Sequence, residues 1–145
     1  MTYEQWESQV PWQIREDPIW KVEAYRLGLF LSDLSRLDVV LVYKHKVMRI
    51  NADQLYRAAS NISSNVTEGY SRSSPADRAR FYEYALGSGR ETRDWYYKVR
   101  GSLREAVVEH RLDLSTQLIA LLVTMIVNER KRAGRIKKRS SDAEN

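Results

Sequence analysis

Catalysis and metal binding need side chains that attack, ligate or move protons, and this sequence is poor in them. It has no cysteine and two histidines, His45 and His110. His45 has no acid or histidine three or four residues away, and His110 has only Asp113. A di-metal carboxylate centre in a helical bundle takes glutamates from facing helices plus a Glu-x-x-His pair on two of them, and no Glu-x-x-His occurs. No Gly-x-Ser-x-Gly elbow is present either, so nucleophilic catalysis has no local support. Gly87-Ser88-Gly89 is glycine-rich, but it lies inside a helical pattern rather than after a strand, which rules against a phosphate loop. Its physical reading is close packing on the small residues Ala85, Ser88 and Gly89. The two histidines read as surface residues. These residues point to a protein that is not an enzyme and uses no cofactor and no metal.

What remains is polar and basic patterning. Asn61, Asn65, Glu68 and Arg72 recur at spacings of four, three and four, a polar stripe on one helix. Two readings stand side by side. The stripe is a solvated face, or it is a hydrogen-bonded seam within the bundle or between subunits, with Glu68 answered by Arg57, Arg90 or Arg93 and with Ser88 and Glu91 as further members. The cations Arg130, Lys131, Arg132, Arg135, Lys137, Lys138 and Arg139 face only Glu129, Asp142 and Glu144 in the last segment, which therefore holds most of the net charge of +5. With Arg72, Arg78 and Arg80 they form a candidate surface for RNA or DNA phosphates. A solvated charge run is the commoner fate of such a segment. Aromatic residues are also dense, with nine tyrosines and four tryptophans. Tyr82, Tyr84, Trp95, Tyr96 and Tyr97 point in several directions around one helix, so a single core face cannot bury them all. The surplus is expected to cover a contact between subunits, or else to stack on a ligand.

These residues must be positioned by helices. The chain has 145 residues, 43% hydrophobic and 30% charged, which suits one domain with one core. Residues 1–18, with Trp6, Trp12, Pro11 and Pro18, read as an irregular N-terminal arm. A bundle is expected over 19–134 and a basic polar tail over 135–145. Asp17 and Pro18 mark a helix start, after which Trp20, Ala24, Leu27, Leu31 and Leu34 form an apolar stripe. Asp38-Val-Val-Leu-Val-Tyr43 also suits a strand, but no second strand exists to pair with it, so helix is expected through about residue 46. A second helix over 52–70 buries Leu55, Ala58, Ala59, Ile62, Val66 and Gly69. Ser74-Pro75 starts a third, read over 75–109 with Phe81, Ala85, Ser88, Thr92, Trp95 and Val99 inward. Asp113 caps a fourth over 113–134, striped by Leu114, Leu118, Leu121, Leu122, Met125 and Ile126. The fold class is therefore an all-α antiparallel four-helix bundle. The acidic N-terminus lacks the apolar segment of a secretory signal, and Leu118–Val127 is too short an apolar run to span a bilayer, so a cytoplasmic protein without a membrane partner is expected.

Two linked motifs carry a resemblance. Gln54-Leu-Tyr-Arg-Ala-Ala-Ser-Asn-Ile-Ser-Ser-Asn-Val-Thr-Glu-Gly-Tyr70, followed by Phe81-Tyr-Glu-Tyr-Ala-Leu-Gly-Ser88 and Glu91, is similar to the paired signature of the four-helix-bundle proteins encoded in 23S rRNA intervening sequences. The resemblance spans about residues 20–128. Arg57, Ala58, Ala59, Asn65, Glu68, Gly69, Gly87, Ser88 and Glu91 fall on the family's characteristic positions, and Asn61 and Trp95 lie on the same helices. The resemblance implies a homo-oligomer, a pentamer, with no established enzymatic activity. A related bundle, the accessory variability protein of diversity-generating retroelements, binds a reverse transcriptase and nucleic acid, which makes both of these candidate partners. The chain departs from the common pattern in its N-terminal arm and in a longer segment between Trp20 and Gln54.

Overall fold

A computed structural model describes all residues, 1–145. Two short helices, α1 (Tyr3–Glu7) and α2 (Trp12–Arg15), and a 3₁₀ turn at Pro18–Lys21 lead into four long helices: α3 (Glu23–Val42), α4 (Arg49–Tyr70), α5 (Pro75–Lys98) and α6 (Glu105–Glu144). Consecutive long helices pack on one another, and α3 closes the bundle against α6. No strand forms, and Val39–Val42 is helical.

The local signals explain the helix starts. Ser74 accepts a hydrogen bond from the Asp77 amide at 3.1 Å, with Pro75 in the first turn, which satisfies one of the orphan amides of the α5 terminus. Asp17 likewise accepts from the Ile19 amide at 2.9 Å, but it caps the 3₁₀ turn and α3 starts afterwards at Glu23. The expected third and fourth helices divide elsewhere. The chain turns through a 3₁₀ segment at Arg100–Ser102 and extended Leu103 and Arg104, so α5 stops at Lys98 rather than near Glu109. Asp113 is interior to α6 and caps nothing. The missed signal was Gly101-Ser102, where a small residue fits under the Met48 methyl, only 2.9 Å from where a Cβ would stand.

The N-terminal arm differs from its irregular reading. Thr2 and Gln5 form a reciprocal capping box on α1, the Thr-x-x-Gln signature of a helix start. This helix delivers Trp6 into the core at 4% exposure. There its ring meets Tyr3, Trp20 and Phe30, and its indole N–H donates to Asp33 at 2.8 Å. The arm is therefore welded to α3 by aromatic burial.

On α4 the expected stripe is buried from Leu55 to Gly69, joined by Ala52. Gly69 explains its own residue type. A Cβ there would stand 2.7 Å from Cε1 of buried Tyr82 and 3.1 Å from the Arg78 carbonyl, so α4 and α5 meet at contact distance. Gly69→Ala is expected to lose about 1–3 kcal/mol by overpacking, read as a lower denaturant midpoint. On α5 the buried stripe is rotated one position from expectation: Tyr82, Gly89 and Tyr96 turn inward with Ala85 and Thr92. Phe81, Ser88 and Trp95 are only half-buried.

The terminal segment read as a tail is helical. At 40 residues, α6 is about 60 Å long, roughly twice the length of α3 with its 20 residues. Its Leu114, Leu118 and Leu122 are buried in the bundle, while beyond Arg130 every residue but Ala133 is exposed. Its length and composition would suit a membrane span, but its leucine stripe faces the other helices.

Candidate functional site

The inward polar groups are the first feature to account for, because a charge in a bundle core needs a partner. Asp38 falls on the apolar stripe of α3, 5% exposed. Arg111 of α6 reaches it with Nε at 2.7 Å and a terminal nitrogen at 3.1 Å, a two-pronged pair. The Tyr96 hydroxyl of α5 donates to the same carboxylate at 2.8 Å. Three helices are thus tied at one buried point. Burial, with Asp38 beside it, pushes the Tyr96 phenol well above its ordinary value. For Arg111 burial works against the charge, but the Asp38 hydrogen bond and charge outweigh it, and the guanidinium is held more firmly protonated. Sequence reading missed this triad. The available signal was an acid in register with Leu27, Leu31 and Leu34.

A second knot lies where α4 turns into α5 and meets α6. Glu129, 6% exposed, accepts from Arg78 Nε at 3.1 Å and from Arg132 at 2.5 Å. Arg78 also donates to the backbone carbonyls of Arg72 and Ser73, each at 3.0 Å. Beside this knot opens a cleft of about 460 Å³, lined by Lys21, Tyr70, Arg78, Tyr82, Asn128 and Arg132 among others. Burial, and then the Glu129 charge, push the Tyr82 phenol up to about 12. Tyr82 and Tyr96 keep their protons when folded but release them near pH 10 when unfolded. Both therefore contribute stability that is present below about pH 10 and lost as pH rises beyond it. An absorbance titration should find these two ionising last, together with alkaline unfolding.

The sequence-nominated cations are only partly brought together. Arg72 and Arg80 approach the Phe81 ring, 4.7 and 5.0 Å from its centroid, and lie on the same corner as Arg78. Many are already answered by acids: Arg72 by Glu68 at 3.2 Å, Arg80 by Asp77 at 3.6 Å and Arg130 by Glu83 at 2.6 Å. Lys131, Arg135, Lys137, Lys138 and Arg139 have no acidic partner. They project from the free part of α6, so the uncompensated charge is concentrated on an exposed helix.

The polar stripe of α4 is not an internal seam of this chain. Glu68 is exposed and pairs with Arg72, just past the end of its own helix, not with Arg57, Arg90 or Arg93. Arg57 instead crosses to Glu91 at 3.0 Å and also holds Gln54, and the Trp95 indole donates to Glu91 at 3.3 Å. Asn65 donates to the Asn61 carbonyl, and the Ser88 carbonyl accepts from Thr92. Gly87 is exposed, and a Cβ there would meet nothing; the close packing falls at Gly89, beside Ile119. An exposed pair of this kind contributes at most about 1 kcal/mol. Glu68→Ala should thus barely change the melting of a lone chain, and a substantial loss would show that the stripe is covered in an assembly.

His45 is exposed in the α3–α4 connection, and His110 sits edge-on to Phe30 with its Nδ1 2.8 Å from Arg111. Burial and the Arg111 charge lower the His110 pKa, and because a guanidinium can only donate, Nδ1 is the acceptor in this contact. No three His, Asp or Glu side chains converge to hold a metal.

The comparisons with known proteins agree with this architecture. A crystal structure at 1.70 Å of a protein of unknown function from the S23 ribosomal protein family of Bacteroides thetaiotaomicron superposes with a TM-score of 0.66. It covers 71% of this chain and 97% of that one at 19% identity, a likeness that shows the fold. No curated protein matches the chain. The family model described as 23S rRNA-intervening sequence protein matches residues 38–124, which takes in the Asp38–Arg111–Tyr96 triad and both sequence motifs. The chain belongs to the 23S rRNA-intervening sequence protein family.

Proposed function

We propose that this protein is a non-catalytic accessory factor that assembles as a homo-oligomer, a pentamer as in the family resemblance, and binds RNA or DNA through phosphate contacts with little base specificity. The single observation that carries the nucleic-acid reading is the projecting part of α6. Lys131, Arg135, Lys137, Lys138 and Arg139 stand there without acidic partners on a helix that nothing else in the chain covers. A helix of this width fits the major groove of a duplex, and unpaired cations on it neutralise phosphates and release counterions. Arg72 and Arg80, both within reach of the Phe81 ring, add basic surface at the α4–α5 corner. In an oligomer every such patch is repeated, which turns a weak electrostatic contact into a multivalent one.

Assembly is supported by apolar surface that the single chain leaves uncovered. Leu37, Val40 and Leu41 share the outer face of the last turns of α3, and Val47 and Ile50 beyond them are 87% and 79% exposed. Tyr84 and Tyr97 of α5 are also more than half exposed, the surplus of aromatics that the sequence suggested. Adjacent apolar residues in the open are characteristic of contact surfaces. The purified chain should scatter light as a multiple of its 17.0 kDa and shift the anisotropy of labelled structured RNA and duplex DNA at low salt. Retention at 17.0 kDa would reject assembly; flat titrations with both nucleic acids would reject binding and leave a protein-interaction scaffold.

A further inference from the structure

We propose that the cleft between the Lys21 turn, the α4–α5 corner and α6 binds a phosphate monoester, the group carried by a free nucleotide or by the phosphorylated end of a nucleic-acid strand. Three cations line it, Lys21, Arg78 and Arg132, against one acid, Glu129. Two positive charges are therefore left over. A phosphate monoester carries close to two negative charges at neutral pH, whereas a bridging phosphodiester carries one, so the charge balance favours the monoester.

Glu129 also fixes the geometry. Its buried carboxylate holds Arg78 through one oxygen and Arg132 through the other, and two backbone carbonyls anchor Arg78 from behind. Fastening α6 to the corner needs only one arginine on this carboxylate. The second arginine and Lys21 are surplus to that structural task. Guanidinium groups held before the ligand arrives spare it the ordering cost that weakens binding at flexible side chains. Beside them the walls carry Tyr70, Tyr82 and Met125, apolar and aromatic surface on which a ring can lie. The volume of about 460 Å³ is that of a small-molecule site. The strand-borne form of the ligand rests on the nucleic-acid reading above; the free-nucleotide form does not.

The test uses the full chain and five probes: adenosine monophosphate, adenosine, inorganic phosphate, and one single-stranded oligonucleotide with either a 5′-phosphate or a 5′-hydroxyl. Lys21 is exposed, and Arg132 is more than half exposed. Lys21→Ala with Arg132→Gln should therefore remove the charge while Arg78 still answers Glu129, and Lys21→Ala alone serves if the double variant melts early. The monophosphate should bind in calorimetry where adenosine does not, or the 5′-phosphorylated strand should bind about tenfold tighter than its hydroxyl twin. Either difference should vanish in the variant. Monophosphate binding without strand binding supports the cleft with a free nucleotide as its ligand, and counts against the nucleic-acid reading. A strand-end preference without monophosphate binding supports the cleft with the strand as source. Binding of inorganic phosphate alone, or phosphate-dependent binding that the variants leave unchanged, overturns the assignment. Equal binding of both strands with no monophosphate binding also overturns it, while leaving general nucleic-acid binding intact.

Discussion

Asp38→Ala should lower the unfolding free energy by about 3–5 kcal/mol, because it leaves the Arg111 guanidinium buried without its carboxylate. Arg111→Ala should cost a similar amount for the mirror reason. The pair is 7% and 12% exposed at its side chains, too sheltered for water to replace the lost partner. Replacing the set together, with Asp38→Leu, Arg111→Met and Tyr96→Phe, removes the desolvated charges along with their bonds. This triple variant should recover most of the loss. Denaturant unfolding of the four proteins separates the two contributions: a triple variant as unstable as Asp38→Ala would show that the ion pair itself contributes the stability. The triad also has a positional role. It joins α3, α5 and α6 at one end, while Glu129 with Arg78 joins the α4–α5 corner to α6 further along. Between them they set the direction in which the basic half of α6 leaves the bundle.

Removing that half is the second large effect. A chain ending after Ala133 keeps Glu129, Arg132 and the cleft but loses Arg135, Lys137, Lys138 and Arg139. The core of α6 lies before this point, since its last buried residue is Glu129. The shortened chain should thus keep its helical spectrum and melt within about 0.5 kcal/mol of the intact one, as surface changes usually do. Its affinity for duplex DNA should nonetheless fall at least tenfold at low salt, with each lost phosphate contact taking about 0.9 off the log–log salt slope. Cutting earlier, after Asn128, would be a poorer test. It would strip Glu129 from Arg78, and the loss of binding would be mixed with damage at the corner.

Much of the fold was legible in the sequence, and the failures have physical causes. The α4 stripe is a run of small and aliphatic residues with no competing face, so periodicity located it correctly. On α5 the small residues Ala85, Gly89 and Thr92 leave the phase of the stripe to be decided by aromatics. Aromatics flank the true face on both sides; taking Phe81 and Trp95 as inward, rather than Tyr82 and Tyr96, rotated it by one position. Asp113 has the residue type of a cap, which places the expected α5–α6 break several residues too late. The real start of α6 has Arg104 at its cap position with no side-chain bond; packing against the bundle sets that start. In the N-terminal arm the prolines suggest irregular chain, and the helix start rests on the Thr2-x-x-Gln5 signature instead.

The candidate site residues divide in the same way. Charge excess is a property of composition, so the basic terminal segment was visible at once. Its helical form was not, because no apolar stripe of comparable strength continues past Ile126. Pairing across helices cannot be read from one chain's spacing: Arg78 and Arg130 are unpartnered in the sequence pattern, and the fold sets Glu129 and Glu83 beside them. The Asp38–Arg111–Tyr96 triad joins residues that are 58 and 73 positions apart, beyond any local pattern. Glu68 shows the reverse case, a residue on a family position that the lone chain leaves in solvent beside Arg72.

The most direct measurement is the salt dependence of duplex DNA and structured RNA binding by the intact protein beside the chain that ends after Ala133, both followed by anisotropy across a series of salt concentrations. The intact protein should bind both nucleic acids with a steep negative slope of log affinity on log salt, and the shortened one should bind more weakly with a shallower slope. Equal affinities and equal slopes for the two proteins would take the site off the projecting helix, and no binding by the intact protein at low salt would leave the basic half of α6 a solvated charge run.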